Sequence, residues 1–181
     1  MSIITYYPYF LNACYYVPFY SMNFFPTPVQ LPPTRMDDVY NTKNITDFGA
    51  TPLVLNIEKA TKQNNTFRTV LWTGENLQLT LMNIKPGEEI GLELHSDVDQ
   101  FIRLESGQGL VQMGDTRERL DFFRVVEAGD SIIIPAGKWH NLKNIGNESI
   151  TLYSIYAPPE HPFGTVHATK AIADAAEHYK K

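Results

Sequence analysis

The 181-residue chain is predicted to be all-β, a small closed or double-sheet β-barrel, on three observations. Short runs of β-branched and aliphatic residues recur with turn residues every eight to twelve positions, the spacing of strands in a barrel or sandwich. Glu93 and His95 are two apart, so on an extended strand they share one face while Leu92 and Leu94 share the other. Two glycine-opened blocks, 87–107 and 129–144, read as two strand pairs that bring polar side chains together inside the sheet.

The elements follow from the start of the chain. Residues 1–34 form an extension with no Asp, Glu, Lys or Arg, ten of the twenty-two aromatic residues and six of the twelve prolines. Residues 35–52 have no regular period and read as a linker. The barrel is expected over 53–157, beginning with a strand at 53–57 and a polar loop at 59–66. Strands at 67–73 and 77–84 flank a turn at Gly74-Glu75-Asn76, and Pro86-Gly87 turns the chain into the first block. Strands at 100–105 and 109–113 follow, then a charged hairpin tip at 115–119 and a strand at 122–126. Strands at 131–134, 139–145 and 150–156 complete a meander. Over 158–181 a proline-rich loop leads into a helix at 168–179, where alanines favour helix and Lys180-Lys181 suit the negative end of the dipole.

Composition excludes several classes. The net charge of −5 is spread along the chain without a Lys/Arg cluster, so no nucleic acid partner is expected. Residues 1–34 are apolar, yet Pro8 and Pro18 interrupt them and Asn12, Ser21 and Asn23 dilute them, against a membrane helix. They lack a positive n-region and a small-residue cleavage site, so no signal peptide is read and the expected location is cytoplasmic. Their Tyr and Phe rings suit packing on the barrel or on a second subunit, giving a homodimer, or a larger assembly such as a coat or surface layer. The single Cys14 rules out an internal disulfide.

The two blocks carry a family pattern. From Gly87 there are five residues to Glu93, one to His95, four to Gln100 and six to Gly107; from Gly129 the second block runs through Pro135, Gly137 and His140 to Asn144. This resembles the cupins, whose motifs are G(X)5HXH(X)3,4E(X)6G and G(X)5PXG(X)2H(X)3N. The second motif matches throughout, whereas the first has Glu93 in place of a His and Gln100 in place of a Glu. The resemblance implies a double-stranded jelly-roll barrel with a short C-terminal helix, and a divalent metal ion held by Glu93, His95, Gln100 and His140. Asp99 rivals Gln100, but alternation with Ile102 and Leu104 favours Gln100 as the inward residue.

Two nitrogen and two oxygen donors shift preference toward harder ions, Mn or Fe, with Zn or Ni as alternatives. A Lewis-acidic ion implies an enzyme acting on a small-molecule substrate: a sugar, sugar phosphate, or hydroxy or keto acid. Isomerisation of the cupin phosphomannose isomerase type is the first reading, and oxygen-dependent cleavage or decarboxylation the second. A non-catalytic scaffold or ligand sensor is the competing class. Acid or base candidates at the barrel mouth are Tyr156, Tyr153, Gln112 and His161, with Arg103 discounted because strand parity turns it away from Gln100. His178, on the expected helix, is read as structural.

Overall fold

The computed structural model describes residues 46–178. The extension 1–34, most of the linker and Lys180-Lys181 lie outside the described residues, as does the side chain of His178. Among the described residues α1 (Ile57–Gln63) precedes β1 (Arg68–Thr73) and β2 (Gln78–Ile84). There follow β3 (Asp99–Ser106), β4 (Gln108–Gly114), β5 (Phe122–Glu127), β6 (Ser131–Ile134), β7 (Trp139–Asn144), β8 (Ile150–Ala157), a two-residue β9 (Val166–His167) and α2 (Lys170–His178).

The strands form a six-stranded sheet, β6-β3-β8-β2-β1-β9, and a three-stranded sheet, β5-β4-β7. Every pairing is antiparallel. This is the expected double-sheet barrel, but not a meander: the chain changes sheet between β3 and β4, β5 and β6, β6 and β7, and β7 and β8. Such crossings let two sheets enclose one core and leave few free edges. No helix among the described residues is long and apolar enough to cross a membrane.

Alternation decides what lies inside. On β3, Gln100, Ile102 and Leu104 are buried while Asp99 and Arg103 are exposed, as a strand with one face on the core requires. The buried interior joins Met82, Ile84, Ile102, Leu104, Ile132, Ile134, Leu142, Ile150 and Leu152 into one cluster. β2 and β8 are nearly buried on both faces, because a second cluster covers the outside of the large sheet. There Ala60 of α1, with Leu55, Ile57 and Phe48, packs on Leu71, Leu81 and Tyr153.

That outer layer corrects two expectations. Residues 53–57 are not a strand, and most of the stretch read as a polar loop at 59–66 is α1. The side chain of Asn56 caps the helix by accepting a hydrogen bond from the Lys59 N–H at 2.9 Å, and Lys62 pairs with Glu58 at 2.6 Å one turn back. Seven residues are too few to be helical alone, so tertiary packing of Ala60 and Thr61 holds them. Local pattern is silent about that. β9, paired with β1, was not expected either.

Asp47 ties three segments together ahead of this layer. Its carboxylate accepts hydrogen bonds from the Thr73 hydroxyl at 2.6 Å, the Gly164 N–H at 3.0 Å and the Gly49 N–H at 2.9 Å.

Candidate metal centre

The first block reaches the barrel as an irregular extended segment, not as the regular strand expected. Gly91 at φ +106° interrupts the ladder. The segment instead follows β7 by separate hydrogen bonds, from the Ile90 N–H to the Leu142 carbonyl at 3.0 Å and reciprocally between Glu93 and His140 at 3.0 Å. The Gly137 N–H then donates to the His95 carbonyl at 2.7 Å, joining the two blocks directly. Gly137 itself has φ +77°, and at Gly107 a Cβ would lie 2.8 Å from Ile150 Cα. These two motif glycines are there for backbone geometry. Asn144, the last motif residue, is buried and donates to the carbonyls of Ile84 and Glu148, each at 2.8 Å.

Fixed in this way, three side chains meet. Glu93 Oε1 lies 3.4 Å from His140 Nε2 and 3.6 Å from His95 Nε2, and the donor atoms of all three residues lie within 4.8 Å of one another. Ligand bonds near 2.1 Å to a common ion separate neighbouring donors by about 3–3.5 Å, so the spacing suits one. Both imidazoles are oriented from behind. His140 Nδ1 is 2.9 Å from the Lys138 carbonyl, which can only accept, so the proton is assigned to Nδ1 and the Nε2 lone pair faces inward. His95 Nδ1 lies 3.4 Å from the Glu160 carboxylate.

Gln100 is buried, and its amide donates to the Ser154 hydroxyl at 3.0 Å. Its carbonyl oxygen, Glu93 Oε1 and both inward Nε2 atoms are buried without a hydrogen-bond partner. Four orphaned donor atoms in one barrel would be costly unless something held them, and their chemistry fits a divalent cation. Asp99 is exposed and accepts from the Ala136 N–H at 2.9 Å, so it is no rival to Gln100.

The electrostatics match. Burial alone would raise the Glu93 carboxyl, but the close His140 and His95 imidazoles and the Arg68 charge hold it well below the usual range. Burial opposes charge on His95, yet Glu160 and Glu93 push it up to about 9. Without an ion a proton occupies His95, and the two compete. Burial, with the Glu93 charge, pushes the Tyr156 phenol up to about 12, so it stays protonated at neutral pH.

A cleft of about 640 Å³ opens onto the cluster. Of the acid or base candidates, His161 lines it, and the Tyr156 ring stands edge-on between His95 and His161 at 5.7 and 5.0 Å. Tyr153 is corrected: it sits on the outer face of the sheet against Phe101, as its odd position on β8 requires. Gln112 is not among the lining residues, and Arg103 points outward beside Glu105. Sequence reasoning missed Arg68, Glu160 and His167, all of which line the cleft. Only Arg68 left a local sign, as a lone cation at the head of an apolar strand.

A family model described as Cupin domain matches residues 80–156, which span both blocks. The uncharacterized protein YrkC of Bacillus subtilis strain 168 is 57% identical over 140 residues, covering 76% of this chain and 75% of that protein. The chain is a cupin. The crystal structure of BH2720 from Bacillus halodurans is similar to this cupin at a TM-score of 0.72 with 58% identity, over 72% of this chain and 99% of that one. The uncharacterized protein L612 of Acanthamoeba polyphaga mimivirus is 40% identical over 114 residues, 62% of this cupin and 69% of that protein.

Proposed function

We propose that this cupin is a metal-dependent enzyme acting on a small polyoxygenated substrate. The observation that carries the reading is the set of inward, unpartnered donor atoms of Glu93, His95, Gln100 and His140 below an open cleft. A filled structural site would be closed to solvent, whereas a catalytic one keeps an approach. Glu93, His95 and His140 would hold the ion with Gln100 as fourth donor, and this mixture of oxygen and nitrogen favours Mn or Fe. When bound, such an ion supplies Lewis acidity to a carbonyl or hydroxyl oxygen.

The chain's own residues would do the rest. Glu160 is only partly exposed and lines the cleft, so its carboxylate can both orient His95 and take a proton from a substrate carbon beside a carbonyl. Returning that proton to the carbonyl carbon, while the hydroxyl proton passes to the former carbonyl oxygen, isomerises a hydroxy-carbonyl compound, the reaction class we put first. Tyr156, protonated, serves as a hydrogen-bond donor and not as a base. Leu92, Leu94 and Trp139 line the cleft with apolar surface that limits water around the reacting atoms.

The test is metal analysis of protein purified without chelators, followed by a panel of sugars, hydroxy acids and keto acids. Roughly one Mn or Fe per chain and turnover of a panel member, both lost in His140→Ala, support the reading. Oxygen uptake during turnover would move the chemistry to an oxygenase or decarboxylase. Stoichiometric metal with a silent panel would favour a scaffold or sensor.

A further inference from the structure

We propose that the outer face of the large sheet binds the same face of a second copy of this chain. The result is a two-fold dimer whose axis runs along a row of five apolar residues.

Cross-strand register lines the row up. Ile133 on β6 stands opposite Phe101 on β3, Phe101 opposite Ile155 on β8, Ile155 opposite Leu79 on β2, and Leu79 opposite Trp72 on β1. Their chain neighbours Ile132, Ile102 and Ser154 are buried on the inner face, so by alternation the row faces outward. Ile133 is 63% exposed and the other four are partly covered. The cluster beneath α1 takes in Leu79, but Ile133, Phe101 and Ile155 are not part of it. The indole N–H of Trp72 is satisfied within the chain, donating to the Thr51 carbonyl at 2.8 Å. A continuous apolar line across a sheet differs from hydrophobic side chains scattered singly over a surface, and it marks a place of contact.

Self-complementarity chooses the occupant. Asp99 and Arg103 are the next outward residues on either side of Phe101, both exposed and of opposite sign. Sheets packed face to face keep their strands nearly aligned. A two-fold axis along the row therefore lays each strand antiparallel over its own copy. Every apolar member meets itself, and Asp99 of each copy meets Arg103 of the other. Within the chain Arg103 lies 3.3 Å from Glu105, and one Asp99 oxygen accepts from the Ala136 N–H at 2.9 Å. The exposed remainder of each is open to the other copy. An unrelated partner needs no reversal of sign about Phe101, whereas a second copy does. α1 covers only the Arg103 side of the row, over Tyr153 and Leu81. On the other side β2, β3 and β8 end within two residues of the row, which leaves room for the partner's helix. The cleft stays clear, because Gln100 and Tyr156 point from the same strands to the opposite face.

Sedimentation velocity of the full chain at micromolar concentration is the test, with circular dichroism and metal content as controls. Wild type should sediment as a dimer. Ile133→Lys, at an exposed position, should weaken the dimer at least tenfold with fold and metal content unchanged. Arg103→Asp should also weaken it at least tenfold, since it sets like charges against Asp99. Asp99→Arg combined with Arg103→Asp should restore it to within a few-fold of wild type. If the double variant fails to fold, Ile133→Lys and Arg103→Asp decide together. A monomeric wild type, a dimer that neither single variant weakens, or a folded double variant that stays monomeric overturns the proposal. None of these outcomes bears on the metal-dependent reading of the cleft.

Discussion

The two ends of the barrel interior are built from the same strands and differ in almost everything else. Across β2, β8 and β3 the inward positions form rows, and on those three strands the row of Met82, Leu152 and Leu104 is apolar, with Arg68 of β1 opposite Met82 at its margin. One step along, Thr80 and Ser154 stand beside Ile102; one further, Gln78, Tyr156 and Gln100 share a row with Ile134. On β7 the same change occurs from Leu142 to His140. The apolar end removes hydrocarbon from water and stabilises the fold, while the other end keeps buried polar atoms that the fold alone does not satisfy. Along β2, β3, β7 and β8 stability and chemistry lie toward opposite ends, so each can be changed without the other.

Substitutions at the two ends test that separation. Leu152→Ala removes a fully buried side chain from the apolar rows and should destabilise by about 2–5 kcal/mol in denaturant unfolding. Metal stoichiometry should stay unchanged, and a parallel loss of metal would break the separation. Glu160→Gln acts at the other end by removing the carboxylate behind His95. It should weaken metal affinity by roughly 10–100-fold in chelator competition, with little change in the unfolding midpoint of metal-free protein above pH about 9, where His95 is already unprotonated.

Acidity sharpens the comparison further, because the polar end titrates and the apolar end does not. In metal-free protein His95 has a folded-state value of about 9, above its ordinary 6.5. Its contribution is therefore fully present below pH about 6.5 and is lost as pH rises through about 9. With metal the slope should reverse, since the ion needs the unprotonated nitrogen and binds better as pH rises. Melting curves with EDTA and with added Mn, from pH 6 to 9.5, would show crossing trends; parallel trends would contradict the competition between proton and ion.

The smallest effect concerns a region belonging to neither end. Asn56→Ala removes the cap of α1 and should cost about 1 kcal/mol, read as a lower urea midpoint with the metal content intact.

The strands and the three clustered side chains were legible because both follow local rules. Alternation at Gln100, Ile102 and Leu104 says which face is buried, and glycines at positions such as Gly107 and Gly137 mark turns that only they adopt readily. What was not legible depends on partners distant in sequence. α1 carries a cap at Asn56 and an ion pair between Glu58 and Lys62, yet its helicity is settled by Leu71 and Leu81. Glu160 and His161 sit in a proline-rich loop with no period, and only the fold brings them to the cleft. Arg68 was passed over because a cation heading an apolar strand is read as a boundary, whereas here it is enclosed. Crossing between sheets is likewise invisible to a pattern that records only strand and turn.

The Asp47 carboxylate leaves one further consequence. It clasps the end of β1 to the backbone at Gly164, in the same loop that brings Glu160 and His161 over the cleft. The rim is thus anchored from outside the barrel, by a residue six positions ahead of where the barrel was expected to begin. A version trimmed to 53–157 would discard that anchor together with the loop and α2. The smallest portion of this chain worth assaying therefore starts before Asp47 and runs past His167.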